Sequence, residues 1–162
     1  MPENPRERPL GIFGGTFDPV HFGHLRLAEE ATDQLQLAGV RWIPAGRPLL
    51  REAPEVTARQ RLTMVRLATA GNPSFDVDAG EVDADGPSYT VLTLERLRQA
   101  SQFGRQRPLL LLLGADAFAA LPSWYRWRSL LELAHIGVAH RPGFPIDAAS
   151  LPAALADRKS VV

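Results

Sequence analysis

The sequence predicts an α/β fold, a doubly wound open parallel sheet with helices on both faces. Three observations predict it. Short apolar segments alternate with stretches of helical spacing along the chain, an order that implies right-handed crossovers and parallel strands. One segment, PLLLLLGAD (108–116), is a near-continuous leucine run bounded by Pro108 and Gly114, the pattern of a central strand covered on both faces. Finally, 162 residues that are 45% hydrophobic and 22% charged suit a single domain over 1–162, able to bury a core without disulfides or metal staples.

The elements follow in order. LGIF (10–13) is a short apolar strand, and the turn after it leads into a helix of about a dozen residues by ordinary helix lengths. GVRWIPA (39–45) is a second strand, bounded by Gly39 and Pro44. After the proline-rich RPLLREAPEVT, a helix is expected from Ala58 to Ala70 with Leu62, Met64, Val65 and Leu67 as its apolar positions. A strand near Phe75–Asp78 precedes an acidic, glycine-containing turn. Pro87 and Ser88 then cap a helix from Tyr89 to about Phe103, with Leu92, Leu94 and Leu97 as core candidates. The leucine strand, a short helix, the tryptophan-rich 123–128, a helix near Leu130 and a last strand HIGVAHR (135–141) complete the chain.

Composition excludes several functions. With no cysteine there is no thiol nucleophile and no cysteine-ligated zinc, and a reducing compartment fits. No run of 18 apolar residues spans a membrane, and MPENPRERPLGIFGG lacks the apolar core and cleavage site of a signal peptide, so an intracellular, cytoplasmic protein is expected. A net charge of zero speaks against generic nucleic-acid binding. Lys159 is the only lysine, so no Walker GK[ST] triplet exists. Nothing in the sequence specifies an oligomeric state.

GGTFDPVHFGHLRLAEEA (14–31) is the stretch that points to chemistry. Asp18 is a candidate helix cap and Pro19 suits a first helical position, which places His21 and His24 near the first turn on one face. That end of a helix favours an anion. Gly14 and Gly15 allow close backbone approach, and Gly23 keeps side-chain bulk away. The physical logic is a phosphate site in which two imidazoles donate hydrogen bonds to developing charge. A zinc pair is the competing reading, but its usual helical spacing is i and i+4 and a third ligand is not evident. In parallel sheets of this kind ligands sit beyond the carboxyl ends of strands where the order reverses, and the turn after Phe13 and the GAD after Leu113 are both such ends.

GGTFDPVHFGHL resembles the signature of the HxGH nucleotidyltransferase superfamily, in the form found in bacterial nicotinate mononucleotide adenylyltransferases. The resemblance continues through RWIPAGRP, RQRLTMVRLA, GPSYTVLTLERL, LLLGADAFAALPSWYRW and VAHRPG, and so covers roughly residues 10–145. It implies a Rossmann-like sheet and transfer of AMP from ATP to nicotinate mononucleotide, with Mg²⁺ assisting as the ion carried by ATP. The acceptor's 5′-phosphate attacks the α-phosphorus directly, so positioning and charge stabilisation carry catalysis. It further implies that His21 and His24 hold the ATP phosphates beside Gly14, Gly15 and Thr16. Gly114 and Asp116 match positions lining the adenosine pocket; Ser88, Tyr89 and Thr90 match the segment that meets the nicotinate carboxylate. Trp124, with Tyr125 beside it, matches the ring that stacks on the pyridine.

Plainer readings stand next to these. Trp124 and Trp127, three apart, suit core packing, and Asp116 suits a helix cap. Asp76, Asp78, Glu81, Asp83 and Asp85 suggest a metal cluster but are spread over a turn and read as a solvated loop. Arg141 is equally a surface charge or a phosphate ligand.

Two departures from the family pattern matter. Where relatives carry a Pro-Pro-His-Lys-type segment this chain has RPLLRE, with Leu50 in place of the histidine and Arg51 as a basic residue still suited to a substrate phosphate. Relatives also continue to a C-terminal helix with a Ser-Ser-Thr-x-x-Arg-type motif, whereas this sequence ends LPAALADRKSVV. Loss of a phosphate-binding element costs several kcal/mol, about 3–4 kcal/mol for one oxyanion donor, so this chain is expected to lack part of its ATP clamp. Besides the adenylyltransferase, the residues allow a sister enzyme that uses nicotinamide mononucleotide or phosphopantetheine. They also allow a nucleotide-binding domain without turnover and an interaction module built on the tryptophans.

Overall fold

The computed structural model describes residues 8–48, 53–100 and 107–140, together with the backbone of 159–161. The strands are β1 (Leu10–Gly15), β2 (Gly39–Pro44), β3 (Phe75–Val77), β4 (Leu109–Gly114), β5 (His135–Ala139) and β6 (Lys159–Val161). They form one parallel sheet in the order β3-β2-β1-β4-β5-β6. The helices are α1 (Phe22–Gln34), α2 (Ala58–Thr69), α3 (Gly80–Asp83), α4 (Thr90–Gln99), α5 (Ala115–Ala120) and α6 (Trp127–Leu133), with a short 3-10 turn at Leu121–Ser123.

The leucine run shows why both faces are covered. Strand side chains alternate, so Leu109, Leu111 and Leu113 join one core cluster with Val91, Leu94, Leu97, Phe118 and Leu130, while Leu110 and Leu112 join the other with Ala28, Ala31 and Val65. Helices α4, α5 and α6 therefore cover one face and α1 and α2 the other, which is the doubly wound arrangement expected. No helix of the described residues is long and apolar enough to cross a membrane.

Several boundaries and core assignments differ from expectation. β1 continues through Gly14 and Gly15 because both still pair with β2, opposite Ile43 and Pro44. The helix expected to reach Phe103 ends at Gln99, and Phe103 lies outside the described residues. Leu67, an expected apolar position, and Leu92, a core candidate, are 74% and 45% exposed, because each falls on the helix face opposite the buried stripe: Arg61, Leu62, Val65 and Thr69 in α2, and Val91, Thr93, Leu94 and Leu97 in α4. The last strand stops at Ala139. β6 and the four-residue α3 were not anticipated from the sequence.

The acidic stretch is structural. Arg41 holds Asp76 through two hydrogen bonds of 3.0 and 2.7 Å, Arg96 holds Asp78, and Arg59 holds Asp83. Burial alone would raise the Asp78 pKa, but the Arg96 hydrogen bonds, the Gly80 amide and the charges of Arg96 and Arg41 outweigh it and hold the carboxyl below its usual range. Among the described residues no group of three or more His, Cys, Asp or Glu is placed to hold a metal ion.

Candidate functional site

Strand pairing itself opens the site. β1 stays with β2 through Gly15 but pairs with β4 only from Leu10 to Ile12, while β4 continues with β5 to Gly114. The carboxyl ends of β1 and β4 therefore part at the point where strand order reverses, the usual ligand crevice of such sheets. Glycine lines both walls of the gap. A Cβ at Gly14 would meet only the Ile43 carbonyl at 3.8 Å, and one at Gly114 nothing within 4 Å, so the space beside both backbones is open.

The loop after β1 is built to present two histidines. Phe17 adopts a left-handed backbone (φ 51°), which leaves its ring 3% exposed and packed on Phe13 and Trp42. His24 sets its ring edge-on to Phe17, with centroids 5.0 Å apart, and stacks on His21 at 3.8 Å. The stack is also a reciprocal helix cap. The Gly23 N–H donates to His21 Nδ1 and the His21 N–H donates to His24 Nδ1, each at 3.1 Å. An Nδ1 that accepts a backbone N–H carries no proton, so each neutral ring bears its hydrogen on Nε2. The fold thus fixes both rings as Nε2–H donors at the start of α1, the end that favours anions.

Two expectations about this stretch are corrected. Asp18 and Pro19 do not begin the helix: α1 starts at Phe22 with His21 as its cap, and Asp18 Oδ2 instead accepts from the Glu55 N–H at 2.9 Å. Gly23 clears space for a ring, since a Cβ there would lie 2.9 Å from His21 Cε1 and 3.0 Å from Nδ1. Gly23→Ala is therefore expected to trade about 1 kcal/mol of helix propensity against the His21 cap. Net stability should move by less than about 1 kcal/mol in urea denaturation, while histidine-dependent activity falls about tenfold or more as the His21 ring leaves the stack.

Across the crevice, Gly114 caps α5 through its backbone, and Asp116 is exposed in the first turn. Asp116 makes no cap hydrogen bond, contrary to the plainer reading of it.

The third group lies at the start of α4. Tyr89 is the N-cap and Thr90 the first helical residue; the expected Ser88 cap is absent because the hydroxyl is engaged elsewhere. Ser88 Oγ accepts from the Gly46 and Arg47 N–H groups at 2.9 and 3.1 Å, the Ser88 N–H donates to the Arg47 carbonyl at 3.1 Å, and the hydroxyl donates to Glu81. Burial pushes the Glu81 carboxyl pKa up, against the hydrogen bonds from Thr93 and Ser88 and the Arg96 charge. Ser88 thereby ties the α4 start to the loop after β2. Tyr89 and Tyr125 pack with ring centroids 4.6 Å apart. Trp127 is core, and Trp124 is half-buried against the same cluster. Arg51, Leu50 and Arg141 lie outside the described residues.

Residues 14–16 with His21 and His24, Gly114 with Asp116, and 88–90 thus stand at the carboxyl ends of β1, β4 and β2 respectively. Sequence reasoning missed Arg61, which is 1% exposed and donates to the carbonyls of Thr16 and Ala45, each at 2.7 Å, and of Gly46 at 3.3 Å. The signal was present: Arg61, Val65 and Thr69 form the buried i, i+4, i+8 stripe of α2, and an arginine in such a stripe needs a reason.

Comparison with known proteins agrees with this geometry. The cytidylyltransferase-like family profile matches residues 12–159. Probable nicotinate-nucleotide adenylyltransferases are 63% identical over 148 residues in Dechloromonas aromatica and 50% identical over 139 residues in Hydrogenovibrio crunogenus. These alignments take in 91% and 86% of this chain, which spans 67% and 65% of those two relatives. The fold matches Plasmodium falciparum nicotinic acid mononucleotide adenylyltransferase complexed with NaAD, with a TM-score of 0.72 at 15% identity over 96% of this chain and 74% of that one.

Proposed function

Because this chain belongs to the cytidylyltransferase-like family, we propose that it transfers the adenylyl group of ATP to nicotinate mononucleotide, forming nicotinate adenine dinucleotide and pyrophosphate. The observation that carries the reading is the stacked His21–His24 pair at the mouth of the β1–β4 crevice, with both Nε2–H groups fixed as donors. An oxygen of the acceptor 5′-phosphate attacks the α-phosphorus as the bond to the pyrophosphate oxygen breaks. His21 and His24 donate to the charge gathering on the phosphates, beside Gly14, Gly15 and Thr16. Gly114 and Asp116 receive the adenosine.

On the acceptor side, Ser88 holds the loop, Tyr89 and Thr90 open α4 toward the nicotinate carboxylate, Trp124 offers its ring to the pyridine, and Arg51 takes the acceptor phosphate. Exposed Arg47, whose backbone exchanges hydrogen bonds with Ser88, adds positive charge next to that carboxylate. A divalent ion, Mg²⁺ by this reading, travels with the ATP phosphates and neutralises their charge. The chain forms a single nucleotidyltransferase domain.

Incubation with ATP and each of nicotinate mononucleotide, nicotinamide mononucleotide and phosphopantetheine tests the reading. Dinucleotide and pyrophosphate in equal amounts, fastest with the nicotinate acceptor, are expected. Faster turnover with either rival would reassign the acceptor, and calorimetric ATP binding without product from any of the three would make this a binding domain.

A further inference from the structure

Arg61 is a buried cation without a carboxylate ion pair among the described residues. Its partners are three backbone carbonyls, its Nε has no hydrogen-bond partner, and burial lowers its pKa, opposed by the charge of Asp18. Burying a guanidinium on neutral acceptors is costly, and an apolar side chain of similar volume would fill the same space more cheaply. The reason to keep it lies in what the fork joins. Thr16 belongs to the loop that carries the histidines, whereas Ala45 and Gly46 belong to the loop after β2.

The second loop is gripped from both sides. In a trans peptide the C=O and N–H point in opposite directions. Arg61 takes the carbonyls of Ala45 and Gly46, and the N–H groups of those same two peptides, on Gly46 and Arg47, both go to Ser88 Oγ. Gly46 fits there because its backbone lies against α3, where a Cβ would be 3.0 Å from the Glu81 carbonyl carbon. The chain of contacts runs from Thr16 through the guanidinium to the Ala45–Arg47 turn, and on through Ser88 to the start of α4.

We propose that Arg61 is a positioning residue that sets the spacing between the ATP-phosphate loop and the acceptor loop, and with it the separation of attacking oxygen and α-phosphorus. The proposal rests on the adenylyl-transfer reading for its kinetic consequence, and on geometry alone for the link between the loops. Nη1 alone donates to both loops, at Thr16 and Ala45, and Nη2 adds Gly46; a lysine ammonium offers one nitrogen on a flexible stem without the rigid plane that fixes those two positions, so it cannot reproduce all three contacts in the same geometry. A displacement of about 1 Å between reacting groups is enough to cost about 10²-fold in rate.

Arg61→Lys and Arg61→Gln test this against Arg66→Lys, an exposed control on the same helix. Two substitutions are used because lysine keeps the buried charge and glutamine removes it, so the test survives misfolding of one. Either is expected to lower kcat roughly 10- to 100-fold while KM for ATP and for the mononucleotide each change less than about threefold. In the ligand-free protein, backbone amide resonances of Gly15–Phe17 and of Gly46, Arg47 and Ser88 should shift together in the Arg61 variants and stay in place in Arg66→Lys. A kcat within threefold of the parent, or shifts confined to one loop, would overturn the proposal. Should the parent form no dinucleotide, the functional reading fails, and the paired amide shifts still decide whether Arg61 links the loops.

Discussion

His21→Asn is expected to keep helix α1 capped while pyrophosphate release falls by about 10²–10³ in kcat, the usual loss for one donor aimed at developing charge. The reasoning separates two jobs that His21 performs with different nitrogens. Its Nδ1 caps the helix by accepting from Gly23, and asparagine is among the best caps, so helix stability should stay within a few tenths of a kcal/mol. Its Nε2–H has no counterpart in asparagine at that reach. His24→Ala removes the second donor together with the acceptor for the His21 N–H, so it should lose activity by a similar factor and also about 1 kcal/mol of stability. Steady-state kinetics beside urea denaturation check both. Full activity in His21→Asn and His24→Ala would show that the imidazoles are structural only.

The second large effect is expected at Gly46. A Cβ there would fall inside van der Waals contact with the Glu81 carbonyl oxygen and 3.0 Å from its carbonyl carbon. Both are helix backbone, so nothing can yield without moving α3 or the loop. Gly46→Ala should cost about 3 kcal/mol, the upper range for overpacking, and lower Tm by roughly 6–12 °C in a chain of this size. The Ser88 hydrogen bonds to Gly46 and Arg47 would be displaced with it. KM for the acceptor should therefore rise more than KM for ATP. An unchanged Tm would show that α3 gives way freely.

What was legible in the sequence follows from which physical signals are local. The leucine run announced a strand buried on two faces because each face needs an apolar partner, and Leu109, Leu111 and Leu113 do face the opposite core from Leu110 and Leu112. Helical spacing found α2 and α4 but counted too many apolar residues toward their stripes; Leu67 and Leu92 lie on the outward faces, opposite the buried positions of their helices. α3 is too short for any period to register. At the candidate site the glycines and histidines stood out because they are poor helix residues. The reason for Gly23 was not readable, because it depends on where the His21 ring lies after the turn. Nor was the role of Asp18, which spends its carboxylate on Glu55, 37 positions away. Arg61 escaped notice because its acceptors are backbone carbonyls, which leave no mark on composition.

Backbone amides at both Nδ1 atoms are expected to make each imidazole present an Nε2–H group to a bound anion. Long-range ¹H–¹⁵N correlation of labelled histidines near neutral pH tests it most directly. His21 and His24 should both show the Nε2–H tautomer in the free protein, and both Nε2 resonances should move when ATP is added, while exposed His135 stays in place. An Nδ1–H tautomer at either ring, or Nε2 resonances indifferent to ATP, would show that the two rings are not held as donors to the nucleotide phosphates.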